Sequence, residues 1–502
     1  MTLGVSFHLP MTPSMKVASP LESYINLENC IKPLESLWVE CSISDICGLI
    51  NGRAFKPNEW SRHGLPIVRI QNLNDEAADY NYCNFNVNES IIIDKGQLLF
   101  AWSGTPGTSF GAHIWKGGKA VLNQHIFKVE IEEQYLDKRF VMYSFNHNLK
   151  DYIAKAHGTA GLAHITKGKF ENSSFLLPPL PEQHRIVAKI EELFSDLDAG
   201  VEALKKVKAE LKRYRQAVLK AAVEGKLTEE WREKNKDKLE PASVMLERIR
   251  VERAKNGKAK KLPTIDTSGL PRLPEEWAWA KVEDVCDINM GQSPPGDSYN
   301  SDGKGIPLIN GPVEFGPSAF SKTLKTKFTT SPTKLCKEND LILCVRGSTT
   351  GRMNIAGFDA CIGRGVAALR ALCNQNYLNI YVHSQQRTIF ELGTGSTFPN
   401  VSSSDIANLG ISVPPVAEQQ QVVSEVERRL SVADDVEETV DAGLKQAERL
   451  RQSILKRAFE GKLVPQDPSD EPAEKLLERI REIKDLRSAA RRKSKSIKEG
   501  RD

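Results

Sequence analysis

The chain has 502 residues, 40% of them hydrophobic, and its 69 basic and 65 acidic residues leave a formal net charge of only +4. That length predicts a multidomain protein, and the sequence has no run of about 18 apolar residues that would span a membrane. The start lacks the basic flank and apolar run of a signal peptide, so we expect a cytoplasmic protein. Nine scattered cysteines without a CxxC pair indicate reduced core thiols, with neither disulfides nor a metal site.

The pattern of apolar runs divides the chain into two similar halves. Strand-like runs at 91–94, 97–102 and 125–131 lie between Gly and Pro turns, and runs at 340–346 and 365–371 are typical of strands in the second half. We therefore predict an α+β fold with this organisation in chain order: an N-terminal extension at 1–33, a mixed α/β domain at 34–180, a long helix at 181–226, a basic linker at 227–272, a second mixed α/β domain at 273–415, a second long helix at 416–462 and a helical basic tail at 463–502.

An internal repeat relates the two halves. The stretch LPPLPEQHRIVAKIEEL at 177–193 recurs as VPPVAEQQQVVSEVERR at 413–429, and EPASVMLERIR at 240–250 recurs as EPAEKLLERIR at 471–481. Between these shared segments the halves differ, for example PIVRIQNLNDE in the first against PLINGPVEFG in the second. A shared frame with unshared loops indicates one scaffold that carries two different binding specificities.

Each long helix carries apolar residues at alternating steps of four and three, which is the pattern of a coiled-coil seam. The predicted seam consists of Ile190, Leu193, Leu197, Leu204, Leu211 and Val218 on the first helix and Val426, Val436, Val440, Leu450 and Ile454 on the second. Two such helices in one chain, related by a pseudo-twofold axis, are expected to pack antiparallel and to act as a ruler between the domains. A zipper between chains fits the periodicity equally well. Gly225 and Gly461 suit the left-handed position just past each helix end.

Polar and basic residues follow the predicted strands, where rigid loops would present them to DNA. Arg, Gln and Asn side chains have the donors and acceptors that base edges require in the major groove. The candidate DNA-binding residues are Arg53, Lys56, Arg69, Gln71, Asn72, Trp102, Ser103 and Thr105 in the first domain, and Gln292, Asn310, Arg346, Ser348, Thr349, Thr350, Arg352 and Arg364 in the second. We interpret the basic runs at 248–261 and 491–501 as solvated linker and tail, with phosphate contact as the alternative.

No catalytic set is recognisable in the sequence. The chain contains no Asn or Asp followed by Pro-Pro-aromatic, as amino-methyltransferases use, and no GxxxxGK[ST] loop for nucleotide phosphates. Its acidic residues fall mostly on predicted helix surfaces rather than in clusters of metal ligands, which disfavours a stand-alone nuclease. We therefore predict that the chain is not an enzyme and holds no cofactor of its own.

These features resemble one known family. The helix starts PPLPEQ and PPVAEQ, the runs RYRQAVLKAAVEGKL at 213–227 and RLRQSILKRAFEGKL at 449–463, and the order of domains are similar to those of specificity subunits of Type I restriction-modification systems. The resemblance covers nearly the whole chain from about residue 34 onward. It implies two target recognition domains, each of which reads one half of a bipartite, asymmetric DNA site, and two helices that set the length of the unread spacer.

The resemblance also implies partners and cofactors. Two modification subunits would dock on the chain, bring S-adenosylmethionine and methylate one adenine in each half-site after flipping it from the stack. Restriction subunits, which translocate and cut DNA with ATP and Mg²⁺, can join the assembly. The chain itself would then be the non-catalytic subunit of a DNA adenine methyltransferase and restriction complex. The alternative is a non-enzymatic coiled-coil scaffold that binds protein partners.

Overall fold

The computed structural model describes residues 37–75, 77–104, 109–155, 163–255, 265, 269–393 and 399–499. The predicted extension at 1–33, the candidate Thr105 and part of the predicted basic linker lie outside these residues. The chain forms two compact units, of which the first is Met1–Ala199 with Gln446–Asp502 and the second is Gly200–Lys445. None of the helices in the described ranges is both long enough and apolar enough to cross a bilayer.

Two four-stranded sheets form the centre of the first unit. The antiparallel sheet has the strand order Cys47–Asn51, Ile126–Ile131, Leu98–Ala101, Gly111–Ile114. The mixed sheet has the order Asn81–Cys83, Leu65–Val68, Ala120–Leu122, Ile92–Ile93, and its two middle strands are parallel. Two strand pairs complete the unit, Val39–Ser42 with Ser174–Leu177 and Ser103–Gly104 with Ala163–His164.

An aromatic core lies between the antiparallel sheet and the helices of the first unit. These helices are Ile43–Ile46, Ile70–Asn74, Lys138–His147, Leu149–Lys155, Lys167–Glu171 and Ala473–Glu499. Phe100 of the sheet stacks on Phe170 with ring centroids 4.0 Å apart, and Phe145 meets Phe170 edge-on at 5.2 Å. Such burial removes large apolar rings from water and adds favourable ring contacts. The strands and helices are thereby held as one rigid domain.

The second unit repeats this plan. Its antiparallel sheet has the order Cys286–Met290, Val366–Ala371, Leu341–Cys344, Met353–Ile355. Its mixed sheet has the order Tyr299–Asn300, Phe328–Thr329, Ile306–Ile309, Ala360–Ile362, Leu335–Cys336, in which Ile306–Ile309 and Ala360–Ile362 are parallel. Ala278–Lys281 pairs with Gly410–Val413. The helices are Glu229–Asn235, Ala242–Lys255, Val282–Val285, Gln375–Ser384, Gln386–Leu392 and Ser403–Asn408.

Each domain core is covered by a helix that the chain supplies from outside the domain. In the first unit, Ala473, Leu476, Leu477 and Ile480 are buried in the domain core, and Arg481 Nε donates to Asp45 Oδ1 at 3.0 Å. In the second unit, Ala242, Met245 and Ile249 take the same role, and Arg253 Nη2 donates to Asp287 Oδ1 at 2.6 Å. The repeated sequence ERIR therefore marks two equivalent covering helices.

The repeated Pro-Pro-x-x-Glu-Gln element fastens each long helix to its domain. Gln183 Nε2 donates to Pro178 O at 3.0 Å, while its Oε1 accepts from Asp137 N at 2.9 Å, at the start of helix Lys138–His147. Gln419 makes the same two contacts, with Pro414 O at 3.0 Å and Asn374 N at 3.0 Å. One amide side chain thus satisfies a buried carbonyl and the backbone N–H at the start of the next helix, which accounts for its presence in both copies.

The long helices span Leu180–Val223 and Val416–Phe459 and pair antiparallel within each unit. In the second unit Lys208 Nζ lies 2.6 Å from Asp441 Oδ1, and Arg215 Nη2 lies 2.6 Å from Asp434 Oδ1, so residue numbers fall on one helix as they rise on the other. In the first unit Arg451 pairs with Asp198. The predicted antiparallel pairing is confirmed. Gly225 and Gly461 have φ of 71° and 67°, as expected for residues that follow a helix end.

Most predicted seam residues lie on the paired faces of the long helices. Ile190, Val218, Val426, Val440 and Ile454 are buried, and Leu193, Leu197, Leu204, Leu211 and Leu450 are half-buried. Val436 differs, because its side chain is 38% exposed. The neighbouring Glu437 instead lies 2.8 Å from Arg215 Nη1 on the opposite helix. An ion pair therefore takes the facing position where the periodicity predicts a valine.

Candidate nucleic-acid interface

Candidate residues of the first unit meet where several strands end. Backbone hydrogen bonds fasten these ends together: Arg53 N to Leu122 O at 3.0 Å, Asn123 N to Val68 O at 3.0 Å, and Trp102 N to His125 O at 3.2 Å. His164 lies opposite Ser103 in the short strand pair. We name this surface, residues 51–53, 68–72, 102–103, 123–125 and 164, the first strand-end edge.

The second unit builds the same arrangement from different residues. The corresponding bonds are Gln292 N to Ile362 O, Gly363 N to Ile309 O and Val345 N to Gly365 O, each at 2.9 Å. Arg346 and Asn400 form the bridge that matches Ser103 and His164. We name residues 291–293, 309–313, 345–352, 363–365 and 400 the second strand-end edge. The two edges therefore share one backbone frame.

A glycine permits the close approach of strand ends in each frame. A Cβ on Gly52 would lie 2.0 Å from Asn123 O, and a Cβ on Gly291 would lie 2.1 Å from Gly363 O. Both distances are far below van der Waals contact, so a side chain at either position would push the loops apart. These two glycines match in the sequence repeat because both edges need the same contact.

The second strand-end edge presents unpaired cations. Arg346, Arg352 and Arg364 are exposed, and none of them forms an ion pair with a carboxylate of the described residues. Gln292 and Ser348 are also exposed, whereas Asn310 and Thr349 are half-buried. Guanidinium groups that keep their donors free can bind phosphate or the acceptors of guanine. Chemically, the edge suits a polyanion.

The first strand-end edge combines cations with aromatic rings. The Arg53 guanidinium pairs with Glu59 and lies 5.0 Å from the Phe55 ring centroid, and Arg69 lies 5.5 Å from the Trp60 centroid. A backbone hydrogen bond from Lys56, and then the contact with Arg53, hold the pKa of Glu59 below its usual range. Lys56 and Gln71 are exposed and Trp102 is half-buried. The Trp60 ring is exposed beside Arg69 and suits stacking together with phosphate contact, whereas the Phe55 ring is buried.

Comparison with known proteins decides the family. The family model for the Type I restriction modification DNA specificity domain matches residues 35–213 and 274–446, which together make up more than half of the chain. The chain belongs to the Type I restriction-modification specificity family. It is 26% identical over 484 residues to the EcoBI specificity subunit of Escherichia coli, covering 90% of this chain and 94% of that protein. It is 27% identical over 448 residues to the EcoDI specificity subunit of Escherichia coli, covering 85% of this chain and 95% of that protein.

Solved structures of this specificity family share the fold. The HsdS subunit from Thermoanaerobacter tengcongensis superposes with a TM-score of 0.53 at 22% identity, covering 86% of this chain and 98% of that one. A chain from work on complex assembly and conformational transition of the type I R-M system gives a TM-score of 0.59 at 23% identity, covering 86% of this chain and all of that one. The predicted architecture of two mixed domains and two long antiparallel helices is confirmed.

Three predicted contacts of this specificity-family chain are corrected by burial. Asn72 and Ser103 are 2% and 4% exposed, and Thr350 is 3% exposed. Asn72 accepts from Arg69 N at 3.0 Å, and Thr350 Oγ1 donates to Gly347 O at 2.8 Å. The polar groups of Asn72 and Thr350 are therefore used inside their turns, and Ser103 is too buried to reach a ligand. DNA contact by the other candidates in the described ranges stays a prediction.

The structure adds residues that the sequence did not single out. Asn51, Gln124, His125 and His164 lie on the first strand-end edge, and Val313 lies on the second. Trp102 Nε1 donates to Asn51 Oδ1 at 3.2 Å, and its ring lies 5.2 Å from His125. The shared backbone frame places Gln124 at the position of the candidate Arg364, because these residues follow the equivalent Asn123 and Gly363. Val313 carried no signal in the sequence, because the candidates were chosen for polar side chains.

His125 and His164 both lie on the first strand-end edge. Burial, and to a smaller extent the neighbouring His164, hold the pKa of His125 below its usual range, which favours the neutral imidazole. His125 Nε2 lies 3.1 Å from Gln124 Nε2. Within the described ranges, no three His, Cys, Asp or Glu side chains are grouped so that they could hold a metal ion. The polar groups available for recognition are amides, imidazoles and guanidiniums.

Proposed function

We propose that this chain reads a bipartite, asymmetric DNA site, with one half contacted by each strand-end edge in the major groove. The observation that carries the proposal is the shared backbone frame of the two edges, on which the side chains differ. Arg53, Arg69 and Trp102 stand in the first edge where Gln292, Asn310 and Val345 stand in the second. Unlike side chains on like frames favour unlike half-sites, because base edges are distinguished by donor, acceptor and methyl patterns.

The long helices set the length of the unread spacer and bind two modification subunits in this proposal. Those subunits supply S-adenosylmethionine and methylate one adenine in each half-site. Restriction subunits use ATP and Mg²⁺ in the same assembly, and the chain itself contributes recognition and no catalysis. The helices support this role because apolar residues and ion pairs hold them together, while their outer faces carry exposed charged residues such as Lys205 and Glu202. A cytoplasmic location, where DNA is accessible, belongs to the proposal.

Reciprocal domain exchange tests the proposal. Residues 43–173 are replaced by the corresponding segment of a relative, so that the junctions fall beside the paired strands Val39–Ser42 and Ser174–Leu177. The matched exchange replaces 282–409 and keeps Ala278–Lys281 with Gly410–Val413. Each variant is expressed with its modification partner, and methylated adenines are located by sequencing. We expect each exchange to change one half-site and to leave the other half and the spacer unchanged.

The outcomes separate the proposal from a protein-binding scaffold. Exchanges that left both methylated half-sites unaltered would count against recognition by these domains. A direct binding assay adds a physical criterion, because affinity for duplex DNA that rests on phosphate contacts falls steeply with salt. The complex with the modification partner is titrated with duplex DNA at 50 mM and 200 mM salt. Six to ten phosphate contacts would lower the affinity about 10³- to 10⁵-fold over this range.

A further inference from the structure

We propose that Gln71 and Val313 occupy one equivalent base-contacting position in the two domains, and that Val313 makes an apolar contact with the methyl group of a thymine. Gln71 reads its base pair by hydrogen bonds instead. The inference deepens the proposed function and rests on it. It assigns a specificity-determining role to a valine, a residue type that a search for polar contacts passes over.

A capped turn holds Val313 out from the second strand-end edge. The side chain is 79% exposed, the largest value among the exposed large apolar residues of the described ranges. The next residue, Glu314, is 1% exposed, and its Oε2 accepts from Asn310 N and Gly311 N at 3.1 Å each. Leu324 N donates to Glu314 O at 2.7 Å. These bonds hold the backbone on both sides of Val313, and its side chain projects into solvent.

The first strand-end edge holds Gln71 in the same way. Asn72 is buried, and its Oδ1 accepts from Arg69 N at 3.0 Å while its Nδ2 donates to Ala78 O and Asp79 O at 3.2 Å each. Gln71 precedes it and is exposed, and its amide makes one long contact of 3.5 Å with Asp79 O. The amide group is thus available for other partners.

The two turns share the same cap, in which Asn72 accepts from Arg69 N and Glu314 accepts from Gly311 N, although the second turn has one more residue between the strand and the cap. Each follows the parallel strand that ends at Val68 or Ile309, and in each a buried polar side chain accepts from the first amide after that strand. The exposed residue immediately before this buried side chain is Gln71 in one unit and Val313 in the other. The duplicated frame therefore presents one side chain at one position with two different chemistries.

The chemistry of base edges gives each residue a matching partner. A glutamine amide bonds to N6 and N7 of adenine in the major groove, and an apolar side chain contacts the C5 methyl of thymine. A single exposed valine is ordinary on a protein surface. At Val313, however, the turn is rigid and the same edge carries the exposed, unpaired Arg346 and Arg364. A valine among groups suited to a polyanion favours a base methyl over a partner protein as the occupant.

Replacement of thymine by deoxyuridine tests the contact directly. Each thymine in the half-site read by the second domain is replaced in turn, which removes one methyl group and leaves the base pairing intact. The complex of the full chain with its modification partner is titrated with these duplexes. Loss of one methyl contact should weaken binding about fourfold at one position, the equivalent of about 0.8 kcal/mol for one buried carbon. The complex with Val313→Ala should bind all of these duplexes equally.

Two matched controls locate the effect. Leu372 is 37% exposed and follows strand Val366–Ala371 at the end opposite the second strand-end edge, so Leu372→Ala should keep the response to deoxyuridine. In the first domain, Gln71→Ala should reduce discrimination at one A·T pair about 5- to 150-fold, the range for one bidentate contact. The exposed Gln134, which follows strand Ile126–Ile131, supplies the control Gln134→Ala.

Each outcome decides the inference. A deoxyuridine effect that persists unchanged in Val313→Ala, or a second half-site without a specified thymine, overturns it while the proposed function stands. A Val313→Ala chain that binds the modification partner more weakly, with unchanged base preference, overturns it in favour of a protein contact. A wild-type complex that methylates no bipartite site removes the proposed function and the inference together. The exposed position of Val313 makes the substitution safe for folding, and thermal unfolding of the variant verifies this.

Discussion

Two equivalent glutamates at the helix starts have unlike surroundings. Glu418 is fully buried, and its carboxylate accepts from Thr228 Oγ1 at 2.6 Å, Arg232 Nε at 3.0 Å and Trp277 Nε1 at 2.9 Å. Glu182 is equally buried beside Trp38, yet no Thr or Arg of the described residues donates to it. Burial raises the pKa of Glu182, and Trp38 and Arg185 offset this only in part. Ionisation of the same motif residue is therefore costly in the first unit and compensated in the second.

Exchange of each glutamate for glutamine should have opposite effects. A carboxyl whose folded-state pKa is raised stabilises the fold below its unfolded pKa and loses that contribution as pH rises through the folded value. Glu182→Gln should therefore raise the unfolding temperature at pH 8 and leave it nearly unchanged at pH 4. Glu418→Gln leaves Arg232 buried without its counter-charge and should lower the free energy of unfolding by about 3 kcal/mol at pH 8. Calorimetry of the full chain at both pH values measures this, and parallel losses in the two variants would contradict it.

For the candidate DNA-binding residues, the structure tests exposure, and the sequence predicted it for some candidates and not for others. Arg346, Arg352 and Arg364 are exposed, as contact with DNA requires, and no carboxylate of the described residues pairs with them. Asn72 and Thr350 have the right donors and acceptors but use them inside their turns. Sequence pattern reports residue type, whereas burial depends on tertiary packing. The exposure of Val313 was not predicted for the same reason, because valine is typical of a protein core.

The seam of the long helices was largely predictable because periodicity is local. Positions such as Ile190 and Val426 follow from steps of three and four along one helix. The departure at Val436 arises from the opposite helix, where Arg215 draws Glu437 into the facing position. A cross-helix ion pair depends on register, and the spacing along one helix does not contain the register of its partner. The antiparallel direction, by contrast, followed from the pseudo-twofold repeat, and the contacts between the helices confirm it.

Charge placed on the seam should separate the helices, whereas charge beside it should not. Leu204 is half-buried and faces Gly443, where a Cβ would lie 3.2 Å from Leu204 Cδ1. Leu204→Asp should cost about 2 kcal/mol, since it loses apolar burial and desolvates a carboxylate. Val436→Asp should be nearly neutral. Hydrogen exchange measured by mass spectrometry over 200–223 and 416–445 reports the pairing, and equal protection in both variants would show that the seam contributes little there.

At the level of the whole chain, the duplication and its two domains were evident in the sequence. What the repeat did not contain was the partner of each covering segment. EPAEKLLERIR and EPASVMLERIR are matched by sequence, but only the structure shows that the first packs on Ile43–Ile46 and the second on Val282–Val285. Contacts between distant segments depend on tertiary folding. Similarity between the two copies of a repeat does not show which segment packs on which domain.

Lengthening both helices together should lengthen the DNA spacer. Seven residues inserted into each helix at the level of the Lys208 and Asp441 pair keep the seam in register, because seven residues complete one heptad. The added length is about 10 Å, which corresponds to about three base pairs of B-DNA at about 3.4 Å per base pair. Insertion into one helix alone breaks the register and should abolish bipartite methylation. Methylated sites located by sequencing give the spacer, and full methylation at the original spacing would contradict the ruler.

The covering helix of the first unit also governs when this domain is finished during synthesis. Arg481 and Asp45, which meet there, are 436 positions apart. At about 5 to 20 residues per second, the ribosome reaches that helix roughly 20 to 90 seconds after the first strands have emerged. Until then, the apolar groove that Leu476, Leu477 and Ile480 will fill stays open to water and to chaperones. The second domain meets no such delay, because its covering helix precedes its strands. The domain that is translated first is therefore completed after the second.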